Sequence, residues 1–175
     1  AIEEKIDIIF IGAGLPLKLP ITVTLNELKD SNTKIAPIVS SKRAAKLIFQ
    51  SWSKNYDYVP DALVVEGPKA GGHLGFKREQ IEDKNFSLEK LVPEVVESVR
   101  VFEDKYNKKI PVIAAGGVYS GADIFKFIQM GASAVQMGTR FVATHECDAN
   151  LEFKQKFVDC EKKDITIIES PVGLP

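Results

Sequence analysis

Five short apolar segments recur along the chain, and they limit its fold more than any other feature. They are rich in β-branched residues and stay apolar instead of alternating with polar residues; they cover 6–12, 34–40, 61–67, 110–117 and 133–139. Continuous apolar runs of this length are typical of strands that are buried on both faces of a parallel sheet. The sequence therefore predicts a parallel sheet.

Segments with helical periodicity separate these strands. Residues 41–54 repeat apolar positions every three or four residues after Ser41, a suitable N-cap. Residues 87–106 carry one apolar stripe, and residues 120–131 start at Ser120 and close with Gly131. The repeated order of strand and helix predicts an α/β fold with parallel strands.

Two architectures fit this alternation, a doubly wound sheet and a (β/α)8 barrel. A complete barrel takes about 250 residues, whereas this chain has 175 residues and five predicted strands. It begins without an initiator Met, and it ends in a loop just after the apolar run 164–168. We therefore expect a truncated barrel, and because an open piece exposes two unpaired strand edges, we expect that it does not fold stably alone.

The composition excludes several classes of protein. The chain is 45% hydrophobic and 27% charged with a net charge of −1, as in an ordinary globular protein. Charges of both signs are scattered, which argues against nucleic acid binding; the longest apolar runs are too short to span a membrane, and no signal peptide pattern is present. A cytoplasmic protein is expected. Cys147 and Cys160 fit neither a disulfide framework nor a zinc site, so we expect reduced thiols on one helix or its ends, and no metal.

Glycine turns follow the last two strands. Gly116 and Gly117 end one strand and lead toward the helix that starts near Ser120, and Gly138 with Thr139 follows the next strand. Small residues let backbone N–H groups approach a ligand, and a helix N-terminus favours an anion. Two such turns at adjacent strand ends match the phosphate site of (β/α)8 barrels.

A second cluster lies at residues 66–76. Glu66 ends a strand, and four glycines surround His73, so an imidazole stands on a backbone that can approach a planar ligand. This setting favours a general base or a hydrogen-bond donor beside a cofactor. His145 lacks such a setting and is predicted to be a surface residue at a helix start. The remaining charged side chains near these motifs are expected to be solvated or capping: Lys69, Asp123 and Arg140.

These motifs carry a family resemblance. VVEGPKAGGHLGF, followed by IPVIAAGGVYSGADIFKFIQMGASAVQMGTRFV, closely resembles the nitronate monooxygenase family and its relative, the flavin-dependent enoyl-acyl-carrier-protein reductase. The similarity runs from about residue 9 to the end of the chain. It implies that residues 1–175 are the C-terminal part of a flavin-binding (β/α)8 TIM barrel, about strands four to eight, with the first three strands before Ala1 and a helical segment around 144–163.

The resemblance also implies the cofactor and its residues. The cofactor is FMN, its phosphate is held by the glycine turns, and the active-site histidine corresponds to His73. The cofactor-binding residues implied in this way are Glu66, Gly71, Gly72, Gly116, Gly117, Gln136, Met137, Gly138 and Thr139.

The implied activity is the oxidation of alkyl nitronates by oxygen to a carbonyl compound and nitrite. Many nitronate monooxygenases have Gln where this chain has Glu66, and the reductases tend to have Glu. An enoyl-acyl-carrier-protein reductase that uses NADH or NADPH and an acyl-carrier-protein thioester therefore stays an alternative. A flavin-binding barrel without catalysis is a second alternative.

The sequence also resembles inosine monophosphate dehydrogenase barrels, but AGGH stands where those need a nucleophilic cysteine loop. The implied partners are a small-molecule substrate and oxygen, with a homo-oligomer left open.

Overall fold

The computed structural model describes residues 2–19 and 24–171. Its sheet has five strands: β1 (Ile8–Ile11), β2 (Lys34–Val39), β3 (Leu63–Glu66), β4 (Val112–Ala115) and β5 (Ala134–Gln136). Its helices are α1 (Leu25–Asp30), α2 (Lys42–Tyr56), α3 (Leu88–Tyr106), α4 (Gly121–Gln129), α5 (Thr139–Val142) and α6 (Leu151–Asp159). Three 3₁₀ turns lie at Arg78–Gln80, Lys84–Phe86 and Lys162–Asp164.

The strands are parallel and lie in the order β1-β2-β3-β4-β5. A doubly wound sheet reverses its strand order at a switch point, whereas a (β/α)8 barrel keeps chain order around the sheet. The sequential order confirms the barrel and excludes the doubly wound alternative. Because parallel strands all run in the same direction, the loops after them gather at one end of the sheet.

The core lies between the middle strands and the two longest helices. Ile35, Leu63 and Val112 from the strands join the buried face of α2, where Phe49 and Trp52 are almost fully buried. Most of the apolar stripe predicted on α3 is buried. Val92 and Ser98, which were not part of that stripe, are buried as well. Apolar burial is the largest favourable contribution to folding, so this layer stabilises β2, β3 and β4 most.

The outer strands are less well covered. Within the described residues, β1 pairs only with β2 and β5 pairs only with β4. Phe10 on β1 is 45% exposed, and no residue of β5 is buried. The segment after β1 is tied to α2, since the indole N–H of Trp52 donates to the carbonyl oxygen of Pro16 over 2.7 Å.

A polar network joins the amino ends of the strands around Asp61. One carboxylate oxygen accepts hydrogen bonds from the Ile35 N–H (2.9 Å) and the Tyr58 hydroxyl (2.5 Å). The other oxygen accepts from the Lys108 ammonium at 2.6 Å. The Asp61 side chain is only 10% exposed, and burial together with this carboxylate raises the pKa of Tyr58. The hydrogen bond from the Ile35 N–H links the start of β2 to this ion pair.

The C-terminal segment differs from its expected form in one detail. Helix α6 lies within the range 144–163, Cys160 is its C-cap, and Cys147 precedes it; both cysteines are free. His145 is exposed, but it lies in a turn between α5 and α6 and not at a helix start. The prediction for its backbone was wrong because Asn150, five residues later, provides the N-cap by accepting from the Glu152 N–H.

No helix in the described ranges is long and apolar enough to cross a lipid bilayer.

Candidate active site

A cavity of about 640 Å³ opens at the carboxyl ends of the first three strands. Its wall comprises the turn after β1, the Ser40–Ser41 pair after β2, and Glu66 and His73 from the end of β3 and its loop. Most of the remaining lining is apolar and includes Leu74. This volume lies in the range of small-molecule sites, in which a few polar groups orient the ligand on apolar walls.

Glu66 occupies the last position of β3 and is half-buried. Burial raises the pKa of this carboxyl, since a charged carboxylate is less well solvated at this position. No hydrogen bond or ion pair to another described residue satisfies its side chain. Glu66 therefore presents an unpaired carboxyl group to a ligand in the cavity.

His73 lies in the loop after β3 and is exposed at the cavity wall. Its imidazole has no hydrogen-bond partner in the part of the chain that the structure describes, so both nitrogens are accessible. The glycines before it, Gly71 and Gly72, have nothing within 4 Å of an added Cβ, and Gly72 has a φ of +85°. This stretch of backbone forms an open cradle beside the imidazole, as expected from the glycine pattern.

The glycine turn after β4 lies against the loop of β3. At Gly116, where φ is +85°, an added Cβ would lie 2.8 Å from the carbonyl oxygen of Gly67. Gly117 also has a positive φ, of +98°, and it lies against the side chain of Lys69. The loop after β3 and the turn after β4 are thus in direct contact, and this close packing alone requires a glycine at position 116. Gly116 and Gly117 do not line the cavity that Glu66 and His73 share.

The turns after β4 and β5 are also neighbours. The guanidinium of Arg140, in α5, lies 4.9 Å from the ring centre of Tyr119, which follows the β4 turn. Gly138 is the N-cap of α5 and has nothing within 4 Å of an added Cβ. Gln136 ends β5 and is exposed, and Met137 packs partly against the core. The fold therefore brings the two predicted phosphate turns together, with open space beside Gly138.

Helix α4 begins with a capping box formed by Ser120 and Asp123. One oxygen of Asp123 accepts hydrogen bonds from the Ser120 hydroxyl (2.7 Å) and from the N–H groups of Ser120 (2.9 Å) and Tyr119 (3.2 Å). These bonds, the one from the Ser120 hydroxyl most of all, lower the pKa of this carboxyl. Asp123 is thus the capping residue that the sequence predicted. The contribution of this helix end to phosphate binding, which the sequence led us to expect, stays a prediction. The N–H groups of Gly117 and Val118, just before it, donate to no acceptor among the described residues.

No group of three or more His, Cys, Asp or Glu side chains in residues 2–19 and 24–171 is arranged to hold a metal ion. The ionisable groups near the cavity are Glu66, His73 and Lys77. Such an arrangement can transfer protons and bind polar groups. It does not by itself provide an electron acceptor.

Comparisons with known proteins agree on one family. The family model for nitronate monooxygenase matches residues 1–175. A probable nitronate monooxygenase of Staphylococcus aureus (strain MSSA476) is 28% identical over 156 residues, which is 89% of this chain and 39% of that protein. The chain thus spans well under half the length of this curated relative.

Solved structures give the same picture. FabK from Thermotoga maritima is 34% identical with a TM-score of 0.74, over 99% of this chain and 46% of that one. A nitroalkane oxidase from Streptomyces ansochromogenes is 30% identical with a TM-score of 0.55, over 75% of this chain and 34% of that one. Both are TIM-barrel enzymes, which agrees with the sequential strand order of the sheet. On the match of the family model to all 175 residues, the chain belongs to the nitronate monooxygenase family.

Proposed function

We propose that this protein is an FMN-dependent oxidoreductase that oxidises alkyl nitronates with oxygen and releases a carbonyl compound and nitrite. The observation that carries the proposal is the cavity in which Glu66 and His73 both lack partners among the described residues. Polar side chains left unpaired beside an apolar wall are typical of a site whose ligand completes their hydrogen bonds. The family to which the chain belongs supports the reaction type.

The residues present fit FMN. The open backbone at Gly71 and Gly72 leaves space for a planar ring, and Gly138 has open space around its Cα. The free N–H groups of Gly117 and Val118 can donate to phosphate oxygens. Bound FMN would accept the electrons of the substrate, which no side chain in the cavity can do. We propose that the five strands correspond to strands four to eight of the barrel.

His73 is proposed to act on the nitro group. Toward a neutral nitroalkane, a free imidazole nitrogen would remove the proton from the carbon beside the nitro group; toward a nitronate, the ring N–H would donate to an oxygen of the anion. Gly71 and Gly72, just before it, have open space around them, so the backbone can approach the ligand there without an obstructing side chain. The exposed position of His73 at the cavity wall leaves it accessible to the substrate.

Glu66 supports a second candidate, an enoyl-acyl-carrier-protein reductase that takes hydride from NADH or NADPH. Its carboxyl group is unpaired and faces the cavity, and a carboxylate there disfavours an anionic nitronate more than a neutral thioester. The 34% identity to FabK from Thermotoga maritima gives this candidate its weight. Both candidates use FMN and the same cavity, so the electron donor distinguishes them.

The test is the absorbance of bound flavin in the intact protein under anaerobic conditions. Propionate 3-nitronate is added to one sample and NADH or NADPH to another. Bleaching by the nitronate alone supports the monooxygenase, and bleaching by the nucleotide alone transfers the assignment to the reductase. Bound flavin that neither donor reduces indicates a barrel without catalysis. A protein that binds no flavin contradicts the proposal.

A further inference from the structure

The side chain of Lys69 crosses the glycine turn that follows β4. A Cβ added at Gly117 would lie 3.1 Å from both the Cβ and the Cδ of Lys69. The apolar stem of this lysine therefore packs directly on the turn, and its ammonium group lies only two bonds beyond the contact. A long cationic side chain often packs its stem in this way while its charged end stays in water.

The other charged groups near this turn already have contacts. Asp123 accepts from the N–H groups at the start of α4, and Arg140 lies over the ring of Tyr119. Lys69, in contrast, is exposed and makes no ion pair or hydrogen bond with any described residue. Beside it, the N–H groups of Gly117 and Val118 are without acceptors in the described part of the chain. The stem of a cationic side chain thus packs on a turn whose two backbone donors have no acceptor among the described residues.

We propose that Lys69 binds the phosphate group of FMN, together with the backbone donors of the glycine turn after β4. This inference rests on the proposed flavin site and adds a residue that its glycine motif does not contain. A phosphate carries nearly two negative charges and accepts hydrogen bonds from backbone N–H groups and from lysine at once. Gly117 is needed here because a larger residue would displace the Lys69 stem as well as strain the backbone.

The experiment measures the dissociation constants of FMN and of riboflavin, which lacks the phosphate, by quenching of flavin fluorescence in the intact protein. Lys69→Met keeps the apolar stem and removes the charge, and Lys69→Arg keeps the charge. We expect Lys69→Met to weaken FMN binding about tenfold, as for loss of a hydrogen bond to a charged group, and to leave riboflavin binding unchanged. Lys69→Arg should retain most of the FMN affinity.

Lys109→Met is the matched control, because this exposed lysine precedes β4 and lies at the opposite end of the strand. It should change neither constant. The tenfold difference should also shrink as salt is raised, since an exposed charge pair is screened. Equal weakening of FMN and riboflavin by Lys69→Met, or no change in either, would overturn the inference while the flavin site stands. A wild-type protein that binds neither flavin would overturn both.

Discussion

The two ends of the sheet differ in whether the fold satisfies the hydrogen bonds of their polar side chains. At the amino ends, Asp61 accepts from the Ile35 N–H, Tyr58 and Lys108, so each charge has a partner within the fold. At the carboxyl ends, Glu66 and His73 have no partner among the described residues. Polar groups satisfied within the chain stabilise it, whereas unsatisfied groups at a cavity are available to a ligand. This division between a stabilising end and a reactive end is the one known for TIM barrels.

The largest effect should come from His73→Asn at the reactive end. General acid–base groups contribute about 10²–10⁴-fold to rate, so we expect turnover with nitroalkane to fall about a thousandfold. Unfolding by urea should be unchanged, because the exposed imidazole makes no hydrogen bond or ion pair with a described residue. Oxygen uptake measures the rate, and His145→Asn, an exposed histidine in a turn, is the control. Full turnover by His73→Asn would contradict the division at its most important residue.

Asp61→Ala tests the stabilising end. The change leaves the Ile35 N–H, the Tyr58 hydroxyl and the Lys108 ammonium without their acceptor. A buried donor without an acceptor costs about 1–3 kcal/mol, so we expect the free energy of unfolding to fall by about 3 kcal/mol in all. Urea unfolding followed by circular dichroism should show this loss, with turnover per folded molecule close to that of the wild type. Asp61→Asn should cost less, since its amide oxygen can still accept from the Ile35 N–H. An unchanged unfolding midpoint for Asp61→Ala would mean that this network contributes nothing.

Two of the predicted phosphate glycines should differ from each other. Gly116→Ala places a methyl group 2.8 Å from the carbonyl oxygen of Gly67 at a φ of +85°, and it should lower the free energy of unfolding by about 2 kcal/mol. Gly138→Ala places a methyl group in open space at a φ of −116°, so we expect no loss of stability. Parallel urea titrations compare the two variants. Equal losses would show that the conformation of Gly116 is no constraint on the fold.

The smallest effect concerns Glu66→Gln. Burial raises the pKa of Glu66, so the folded protein favours the neutral carboxyl. As the pH rises from the ordinary carboxyl value to this raised pKa, ionisation of Glu66 lowers the free energy of unfolding. At neutral pH the variant should be more stable than the wild type by less than about 1 kcal/mol, because the group is only half-buried. The gain should shrink as the pH falls toward the ordinary carboxyl value of about 4.3. A gain that stays constant with pH would exclude ionisation as its cause.

The regular elements could be predicted because their patterns are local. All five predicted strands exist, and Ser41 and Ser120 cap the helices that were expected to follow them. The bounds of the last predicted strand were too wide. The segment 133–139 forms a strand only over Ala134–Gln136, and Thr139 begins a helix. Helix α1 was missed, although Thr24 and Glu27 form a capping box at its start. Its six residues are too few to give a clear apolar period.

The sequence by itself determined the parallel α/β class and gave the candidate residues of the site, because apolar periods, caps and glycine patterns are properties of neighbouring residues. The resemblance carried by its glycine motifs pointed to the barrel. Only the tertiary structure decided the strand order and the contacts between distant loops. It packed Lys69 on Gly117 and placed Glu66 and His73 on one cavity. These contacts depend on which strands become neighbours in space, and no local pattern specifies that.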